Sequence, residues 1–397
     1  MRVTMINKYY HPHLGGIEHH MRDLAAGLTA AGVQVSAVVA NEANERVTDD
    51  IDGVAVTRLA RAFAYASTPV APGMARELRA RAAGSNPDAA PIPGPRPDAF
   101  HVHTPYPWGE LSWLRARTDT PTVLTYHSDI VRQRLLGSAY RPILERVLDR
   151  VDLIIAGSPN MVAHSELLAS RAEKCRVVPY GIDVSLFDDT PATLKRAEEL
   201  RAAHARKIVL FVGRLVYYKG ADVLLKAMRS VDADCVIIGS GPLEPQLREY
   251  AVAHGISPRV TFVPPVPDSE LAAWYHAADV FCLPSVARSE AFGLVQIEAH
   301  AAGTPAVSTD LTTGVPFANL DGVTGLTVPV GDPEALAHAL QRLVGDDELR
   351  TRLGAQARER ARAEFTIERM AADTRAVYDE AVAVHAERAG RGTGGAS

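Results

Sequence analysis

The chain has 397 residues, of which 47% are hydrophobic and 22% are charged, a composition typical of folded globular proteins. Its length allows two domains that each bury a core, and no segment approaches the ~20 apolar residues of a membrane span. A formal net charge of −5 and three widely spaced cysteines argue against a general nucleic-acid binder and against a cysteine metal site. We expect a cytoplasmic enzyme whose cysteines stay reduced.

Short apolar runs alternate with amphipathic segments along the first half of the chain. The sequence predicts a helix over 18–31, and it predicts strands over 3–6, 34–39, 100–102, 122–125, 152–156 and 176–178. Buried strands rich in Val, Ile and Leu, joined by helices, indicate a parallel sheet that is covered on both faces. Residues 84–97 contain five prolines and no periodicity, which predicts a surface loop.

The same pattern pauses near residues 181–183 and then restarts. Helices are predicted over 220–229, 243–254 and 366–386, and strands over 207–212, 234–238, 259–263, 280–283 and 305–308. The class is therefore α/β, with two doubly wound Rossmann-like domains. The predicted divisions are an N-terminal acceptor-binding domain, a C-terminal nucleotide-sugar domain, a crossover helix and a disordered Gly-rich tail, over 1–188, 189–365, 366–388 and 389–397.

The strongest motif is the segment 289–299, which contains Glu290 and Glu298 with seven residues between them. It follows a predicted strand, and a helix is expected to begin at Gly293. Unbonded backbone amides over 292–294 would suit a phosphate group, and the two carboxylates could hold sugar and ribose hydroxyls on either side. Alone, the motif is equally compatible with a helix that carries an exposed glutamate at its start.

A second motif places two cations at the end of a predicted strand. Arg214 follows the strand over 207–212, and Lys219 is expected to open the next helix. Two fixed cations at a sheet edge bind a diphosphate and stabilise the charge that develops as a sugar leaves it. A solvated arginine and lysine near a turn is the alternative, and the position at the strand end favours the functional interpretation.

Glycine turns follow two of the predicted strands. Gly15 and Gly16 lie between the first strand and the first helix, where a glycine pair permits close approach of the backbone to a phosphate or a sugar. The sequence lacks the full GxGxxG pattern, so this signal is weaker than a dinucleotide fingerprint. Residues 239–241 form a similar turn, and both turns are also compatible with a purely structural role.

Histidines cluster in the first half of the chain. His101 and His103 alternate along a predicted strand, and His127 follows another strand end. An HxH pair can ligate a metal ion, but no third ligand stands at a suitable spacing. The acidic residues within 232–234 lie where a helix turns into a strand, and we interpret them as loop carboxylates. The sequence therefore predicts no metal site, and His127 is the histidine best placed to line a cleft.

Together these motifs resemble one known family. The chain is similar to the retaining GT-B glycosyltransferases of the large bacterial family four from residue 1 to about 385, and the features that carry the resemblance are Gly15, Gly16, His127, Arg214, Lys219, Glu290 and Glu298. The segment 126–133 resembles a mannosyltransferase-like subgroup. The resemblance implies two Rossmann-like domains that face a cleft, with a C-terminal helix that crosses back onto the N-terminal domain.

The resemblance also assigns catalytic roles to four side chains. Glu290 would contact donor-sugar hydroxyls, Arg214 and Lys219 would hold the diphosphate, and His127 would touch the sugar near the reacting centre. Glu298 would bind the ribose. Backbone groups would complete the donor site, at Gly15, Gly16, Phe292, Gly293 and Leu294.

The implied partners are a nucleotide diphosphate sugar and a hydroxyl acceptor, with no cofactor, no catalytic metal ion and no nucleic acid. GDP-mannose is the favoured donor, and UDP-sugars stay open. A lipid-linked acceptor is compatible with weak peripheral contact at the inner face of a membrane, for which Arg76, Arg79 and Arg81 provide a small basic run. Reaction by front-face displacement, with the leaving diphosphate as proton acceptor, would retain the anomeric configuration.

Two alternatives share this fold. A sugar-nucleotide 2-epimerase would bind the same donors but would carry further catalytic carboxylates, which the sequence does not place. A non-catalytic sugar-nucleotide-binding partner would be expected to have lost Arg214, Lys219 or Glu290, and all three are present.

Overall fold

The computed structural model describes residues 1–13, 15–65, 68–84, 96–128 and 134–393, so most of the predicted loop over 84–97 lies outside the described residues. The strands are β1 (Arg2–Ile6), β2 (Gln34–Ala40), β3 (Val47–Ile51), β4 (Val54–Leu59), β5 (Phe63–Tyr65), β6 (Thr68–Val70), β7 (Ala99–Thr104), β8 (Thr122–Tyr126), β9 (Leu153–Ala156), β10 (Cys175–Val177), β11 (Ile208–Val212), β12 (Asp234–Ile238), β13 (Val260–Val263), β14 (Val280–Leu283), β15 (Ala306–Thr309) and β16 (Gly325–Val328).

Helices cover the sheets. They are α1 (Gly16–Ala30), α2 (Met74–Ala82), α3 (Pro107–Ala116), α4 (Arg134–Arg150), α5 (Pro159–His164), α6 (Glu166–Ala169), α7 (Pro191–Ala202), α8 (Ala221–Ala227), α9 (Glu244–Ala253), α10 (Asp268–Ala277), α11 (Leu294–Ala301), α12 (Val315–Ala318), α13 (Pro333–Gly345), α14 (Asp347–Glu364) and α15 (Ile367–Thr393). None of the described helices is long and apolar enough to cross a membrane.

The chain divides into two compact units. The first contains Met1–Gly157, Ser165–Gly181 and the C-terminal segment from Ile367. Its sheet has the order β10-β9-β8-β7-β1-β2-β4-β3, and among the described strands every neighbouring pair is parallel except β3 and β4. The order reverses between β1 and β7, so a ligand of this unit is expected at the carboxyl ends of those strands.

The second unit contains Ser158–His164 and Ile182–Thr366. Its sheet has the order β13-β12-β11-β14-β15-β16, and the strands are parallel throughout the described part of the unit. The buried face is built from aliphatic and aromatic side chains such as Phe211, Ile237 and Leu340. The order reverses between β11 and β14. The two α/β units with parallel sheets confirm the predicted fold class.

The C-terminal helix packs within the first unit. A Cβ atom on Gly27 of α1 would lie 2.8 Å from Ile367 Cγ2 and 2.9 Å from Ala371 Cβ, so the glycine allows α1 and α15 to touch closely. The hydroxyl of Tyr378 on α15 lies 2.7 Å from His101 Nδ1. The helix continues to Thr393, and it therefore includes residues 389–393 of the tail that was predicted to be disordered.

Several strands of the structure were not predicted. β3 is an edge strand that alternates partly buried with exposed residues and carries two aspartates, so it lacks the apolar run of a buried strand. β5 and β6 have three residues each. β16 begins at Gly325, where a Cβ atom would lie 2.0 Å from the carbonyl oxygen of Ala306, and this close approach of the backbones explains the glycine at the start of the strand.

Candidate active site

The candidate site of the second unit lies where β11 and β14 end. β11 ends at Val212 and β14 at Leu283, and the two strands are hydrogen-bonded neighbours. Where the strand order of a sheet reverses, the segments that follow the two neighbouring strands run to opposite faces of the sheet. A crevice is therefore expected at the carboxyl edge between β11 and β14. Arg214, Lys219 and Glu290 all belong to the loops that leave these two strand ends.

A buried ion pair joins the two loops. Lys219 Nζ lies 2.7 Å from Glu290 Oε2, and the two side chains are only 12% and 9% exposed. Ser285 Oγ donates a hydrogen bond of 3.1 Å to the same carboxylate oxygen. Two buried charges are expensive to desolvate unless they are paired and hydrogen-bonded. The structure thus brings together two residues that were predicted from separate motifs, and it adds Ser285, which was not predicted.

Gly220 fixes the position of Lys219. Its φ is +69°, and a Cβ atom there would lie 1.9 Å from the carbonyl oxygen of Pro284. Lys219 ends a 3-10 turn over Tyr217–Lys219, and α8 begins only after Gly220. The prediction that Lys219 opens the helix is therefore wrong, because the left-handed glycine separates the turn from the helix and lets the two loops touch.

Arg214 is exposed, in contrast to Lys219. Its guanidinium group has no hydrogen bond and no ion pair within the described part of the chain. The arginine is therefore available to an anionic ligand without the loss of an internal contact.

The glycine turn over 239–241 packs against the loop after β11. A Cβ atom on Gly239 would lie 2.0 Å from the carbonyl oxygen of Gly213, and one on Gly241 would lie 2.4 Å from that of Leu215. The amide of Leu215 also donates to Ser240 O at 2.9 Å. These glycines bring two backbones together, which favours the structural interpretation of this turn.

The start of α11 presents backbone amides at the same edge. Gly293 has a φ of +76°, and a Cβ atom there would lie 2.5 Å from Leu283 Cδ2. The amides of Gly293, Leu294 and Val295 have no backbone acceptor among the residues that the structure describes. Because the positive end of the helix dipole adds to these N–H groups, the position suits an anion.

Phe292 contributes to the core rather than to an open surface. Its side chain is 2% exposed, and its ring lies 6.2 Å and 6.0 Å from the rings of Phe317 and Phe365, centroid to centroid. Gln296 Nε2 donates to the carbonyl oxygen of Phe292 at 2.9 Å. The side chain anchors the start of α11, so this predicted donor-binding position can contact a ligand only through its backbone.

Glu298 has a different partner from Glu290. The hydroxyl of Tyr275 donates a hydrogen bond of 2.7 Å to Glu298 Oε2. Burial raises the pKa of Glu298 above its usual value, and the hydrogen bond from Tyr275 opposes this shift. The structure therefore gives the two predicted carboxylates separate surroundings. Tyr275 was not predicted, because its distance along the chain gives no sign of this contact.

The predicted glycine pair begins α1 in the first unit. Gly15 is the residue before the helix, and a Cβ atom on it would lie 2.2 Å from Glu18 Oε2. A Cβ atom on Gly16 would have no neighbour within 4 Å among the described residues. A side chain at Gly15 would therefore have to displace the Glu18 carboxylate, whereas the space beside Gly16 is open among the described residues.

His127 lies just after β8 and is 5% exposed. Its Nδ1 is 3.0 Å from the hydroxyl of Tyr180, and its Nε2 is 3.0 Å from His103 Nδ1. Both ring nitrogens are therefore engaged within the first unit. A ligand that contacts this imidazole must replace one of the two contacts.

The structure supplies a third histidine that the sequence analysis did not find. His20 of α1 joins His103 and His127, and nitrogen atoms of the three side chains lie within 4.8 Å of one another. Burial lowers the pKa of His20 to about 4, and it lowers the pKa values of His103 and His127 well below 6.5. Helix packing therefore brings to the strand ends a third histidine that the spacing in the sequence does not indicate.

Three further charged residues that the sequence analysis singled out have internal partners. Asp232 pairs with Arg206 at 2.9 Å, and it lies at the amino end of β12, away from the carboxyl edge. Arg79 donates to the carbonyl oxygen of Arg115, and Arg81 donates to Glu77. The basic run is thus partly used within the first unit, and the membrane contact stays a prediction.

Comparison with known proteins gives the family. Residues 14–186 match the family described as Glycosyltransferase Family 4, and residues 194–360 match Glycosyl transferases group 1. The D-rhamnosyltransferase WbpZ of Pseudomonas aeruginosa is 38% identical over 269 residues, which are 68% of this chain and 70% of that protein. The O-antigen chain mannosyltransferase C of Escherichia coli is 32% identical over 371 residues, 93% of this chain and 96% of that protein.

A solved structure supports the same assignment. The sucrose-phosphate synthase of Thermosynechococcus elongatus superposes with a TM-score of 0.78 at 26% identity, and the match covers 96% of this chain and 99% of that one. The fold and the matches together define a GT-B glycosyltransferase. The chain belongs to glycosyltransferase family 4, in its mannosyltransferase-like subgroup.

A buried histidine inside α11 makes the stability of the second unit depend on pH. Burial lowers the pKa of His300 from 6.5 to about 3. Below about pH 6.5 the unfolded chain binds a proton at this residue and the folded chain does not, so the free energy of unfolding falls as the pH decreases through this window. We expect the free energy of unfolding of His300→Leu to change less steeply with pH than that of the wild-type chain, by about 1.4 kcal/mol per pH unit in this window.

Urea unfolding of both proteins at a series of pH values checks this expectation. His338→Leu is the matched control, because His338 is exposed on α13 and is solvated in both states. Equal pH slopes for the wild-type chain and His300→Leu would show that the folded protein protonates His300 in this range.

Proposed function

We propose that the chain is a retaining hexosyltransferase, which transfers a hexose from a nucleotide diphosphate sugar to a hydroxyl group. The observation that carries the proposal is the Lys219–Glu290 pair in the second unit. Arg214 and the start of α11 belong to the same two strand-end loops, and neither the Arg214 side chain nor these amides has a partner among the residues that the structure describes. Cations and oriented amides at one sheet edge are what a diphosphate requires.

The diphosphate would take over Lys219. In the free protein Glu290 neutralises the buried ammonium group, so no unpaired charge is left in the protein interior. An incoming diphosphate offers stronger and more numerous acceptors, and Arg214 adds a second cation without breaking an internal contact. Release of Glu290 from Lys219 then frees a carboxylate for the sugar hydroxyls. Binding of the donor and release of the Glu290 carboxylate for its contact with the sugar then occur in the same step.

The chemical step needs little beyond this arrangement. The bond between the anomeric carbon and the phosphate oxygen breaks, and the acceptor oxygen bonds to the same carbon on the same face. The acceptor proton passes to the leaving phosphate oxygen, so a dedicated base is unnecessary. Lys219, Arg214 and the amides of α11 stabilise the negative charge that grows on the phosphate, which is where fixed dipoles lower a barrier most.

The names of the relatives support a mannose-type donor and a glycan acceptor. One is an O-antigen chain mannosyltransferase and another is a D-rhamnosyltransferase. We therefore favour GDP-mannose as the donor and a glycan or glycolipid hydroxyl as the acceptor, bound by the first unit. Both of these relatives are transferases by name, which favours transfer over the epimerase and over a non-catalytic role.

Donor identity can be measured directly. We expect GDP-mannose to raise the melting temperature more than UDP-, ADP- or dTDP-sugars. A ligand at 100 times its dissociation constant should add about 2.7 kcal/mol to the free energy of unfolding.

Proton NMR of the product from an α-linked donor should show an α linkage. A β linkage would overturn retention, and stabilisation by none of the donors would overturn the proposed function.

The proposed contact of Lys219 and Arg214 with the diphosphate predicts a loss of turnover when the cation is removed. Lys219→Ala should reduce kcat by about 10²-fold or more, because the charge contact strengthens as the sugar leaves. Lys226→Ala is the matched control, since Lys226 forms a surface pair with Asp222 on α8. Steady-state kinetics of the two variants provide the comparison. Near wild-type turnover in both Lys219→Ala and Arg214→Ala would show that the diphosphate is held elsewhere.

Substitutions of the two glutamates should affect different properties, sugar transfer for Glu290 and nucleotide binding for Glu298. Glu290→Gln should reduce transfer strongly while nucleotide diphosphate binding is kept or strengthened, because Lys219 loses its competing carboxylate. Glu298→Gln should weaken nucleotide binding if this carboxylate holds the ribose. Calorimetric titration with GDP and UDP, beside transfer assays, separates the two effects. Weaker nucleotide binding by Glu290→Gln than by Glu298→Gln would reverse the assignment.

A further inference from the structure

Two aromatic rings are exposed on the hairpin of β5 and β6 in the first unit. Phe63 and Tyr65 are 59% and 66% exposed, and no other Phe, Tyr or Trp that the structure describes is more than half exposed. Because they stand two residues apart in β5, they share one face of the hairpin. The opposite face carries Ala64 and its partner Pro69, which is buried. The two rings therefore form one outward apolar surface, which we call the aromatic pair.

The hairpin is fixed to the carboxyl edge of the sheet of the first unit. It follows β4, and two side chains of the segment after β7 hold its second strand. The hydroxyl of Tyr106 donates to the carbonyl oxygen of Pro69 at 3.2 Å. Trp108 Nε1 donates to the carbonyl oxygen of Ala71 at 2.8 Å. An isolated two-stranded hairpin is only marginally stable, so these contacts hold the aromatic pair at the edge where a ligand of this unit is expected.

The charges around the hairpin do not suit an anionic partner. The cations next to it in the chain already have internal contacts. Arg58 pairs with Asp49, and Arg61 donates to the carbonyl oxygen of Glu42. The loop that Arg61 contacts carries the exposed carboxylates of Glu42 and Glu45. Carboxylates repel phosphate groups and anionic lipid headgroups, and they accept hydrogen bonds from hydroxyl groups. The surroundings therefore favour a neutral partner that is rich in hydroxyls.

A sugar ring has both of the chemical properties that this surface can bind. One face of a pyranose presents C–H groups, and its rim presents hydroxyls. The face of an aromatic ring is electron-rich and attracts such C–H groups, and the contact also removes apolar surface from water. Alternate α-carbons of a strand stand roughly 6.6 Å apart, so each ring of the aromatic pair can stack on its own sugar unit. The pair therefore fits a glycan chain better than a single sugar.

We propose that Phe63 and Tyr65 form the stacking surface for an acceptor glycan of at least two sugar units. The identification of this glycan as the acceptor rests on the proposed hexosyl transfer, whereas its binding to the aromatic pair does not. The surface is separate from the candidate diphosphate site, because Lys219, Glu290 and the start of α11 belong to the second unit. The protein then extends an existing oligosaccharide rather than a single sugar.

Glycan binding can be measured without the donor. The full-length chain is titrated by calorimetry with mannose, with an α-linked mannotetraose and with maltotetraose. We expect one of the tetrasaccharides to bind at least about 10-fold more tightly than mannose, and Phe63→Ala and Tyr65→Ala each to weaken its binding by about 10-fold, because one ring contact is removed. GDP should bind equally to the variants and the wild-type chain. Absence of binding by both tetrasaccharides would overturn the proposal.

Three further variants provide the controls. Tyr65→Phe keeps the ring and should bind the tetrasaccharide as the wild-type chain does. Phe63→Leu keeps an apolar side chain but loses the flat ring, so it should bind as weakly as Phe63→Ala. Val252→Ala removes an apolar side chain that is 69% exposed on α9, and it should change nothing. Equal melting temperatures would show that the variants are folded. Unchanged glycan affinity of Phe63→Ala and Tyr65→Ala would contradict the stacking surface.

Vesicle flotation and transfer assays separate this proposal from the alternatives. Binding to vesicles of phosphatidylcholine and phosphatidylglycerol that Phe63→Ala abolishes and Phe63→Leu retains would assign the rings to a membrane and overturn the glycan surface. In transfer from GDP-mannose to the tetrasaccharide, Phe63→Ala should raise KM about 10-fold with kcat little changed. Glycan binding without any transfer would contradict the proposed function alone. Transfer with equal KM values in Phe63→Ala and the wild-type chain would contradict the role of the aromatic pair alone.

Discussion

The buried pair between Lys219 and Glu290 is the constraint on which the candidate site of the second unit depends. A lysine 12% exposed needs a counter-charge, and a carboxylate at 2.7 Å supplies one while Ser285 holds the carboxylate in place. Removal of either partner would leave a buried charge unpaired. The pair is therefore a structural contact that an anionic ligand of Lys219 would have to replace.

Backbone geometry makes the pair possible. Gly220 adopts a left-handed conformation with its α-carbon against Pro284, and Gly293 does the same against Leu283. A side chain at Gly220 would push the loops after β11 and β14 apart, and one at Gly293 would push the start of α11 away from the end of β14. The carboxyl edge of a parallel sheet is where helices begin with free amides, so the same two turns that bring the charges together also aim the start of α11 at the crevice.

The sequence predicts the centre of each sheet well and its surroundings poorly. Strands β12 and β14 have the predicted bounds, because continuous runs of buried apolar residues leave few alternatives. The cations and glutamates of the candidate site in the second unit stand out because they follow β11 and β14. Tyr275 and His20 do not, since their contacts join residues far apart in the chain, and no local spacing records such contacts. Ser285 is only five residues from Glu290, but their contact depends on the conformation of the loop between them, which the sequence pattern does not indicate.

The two units place different chemistry at equivalent edges. Both sheets reverse their strand order, and both present side chains at the carboxyl ends of the central strands. The second unit gathers charged groups there, as a diphosphate requires. The first gathers neutral imidazoles, which burial keeps unprotonated at neutral pH. Neutral rings bind hydroxyl groups rather than phosphates. The shared fold therefore fixes where each unit binds, and the side chains decide what it binds.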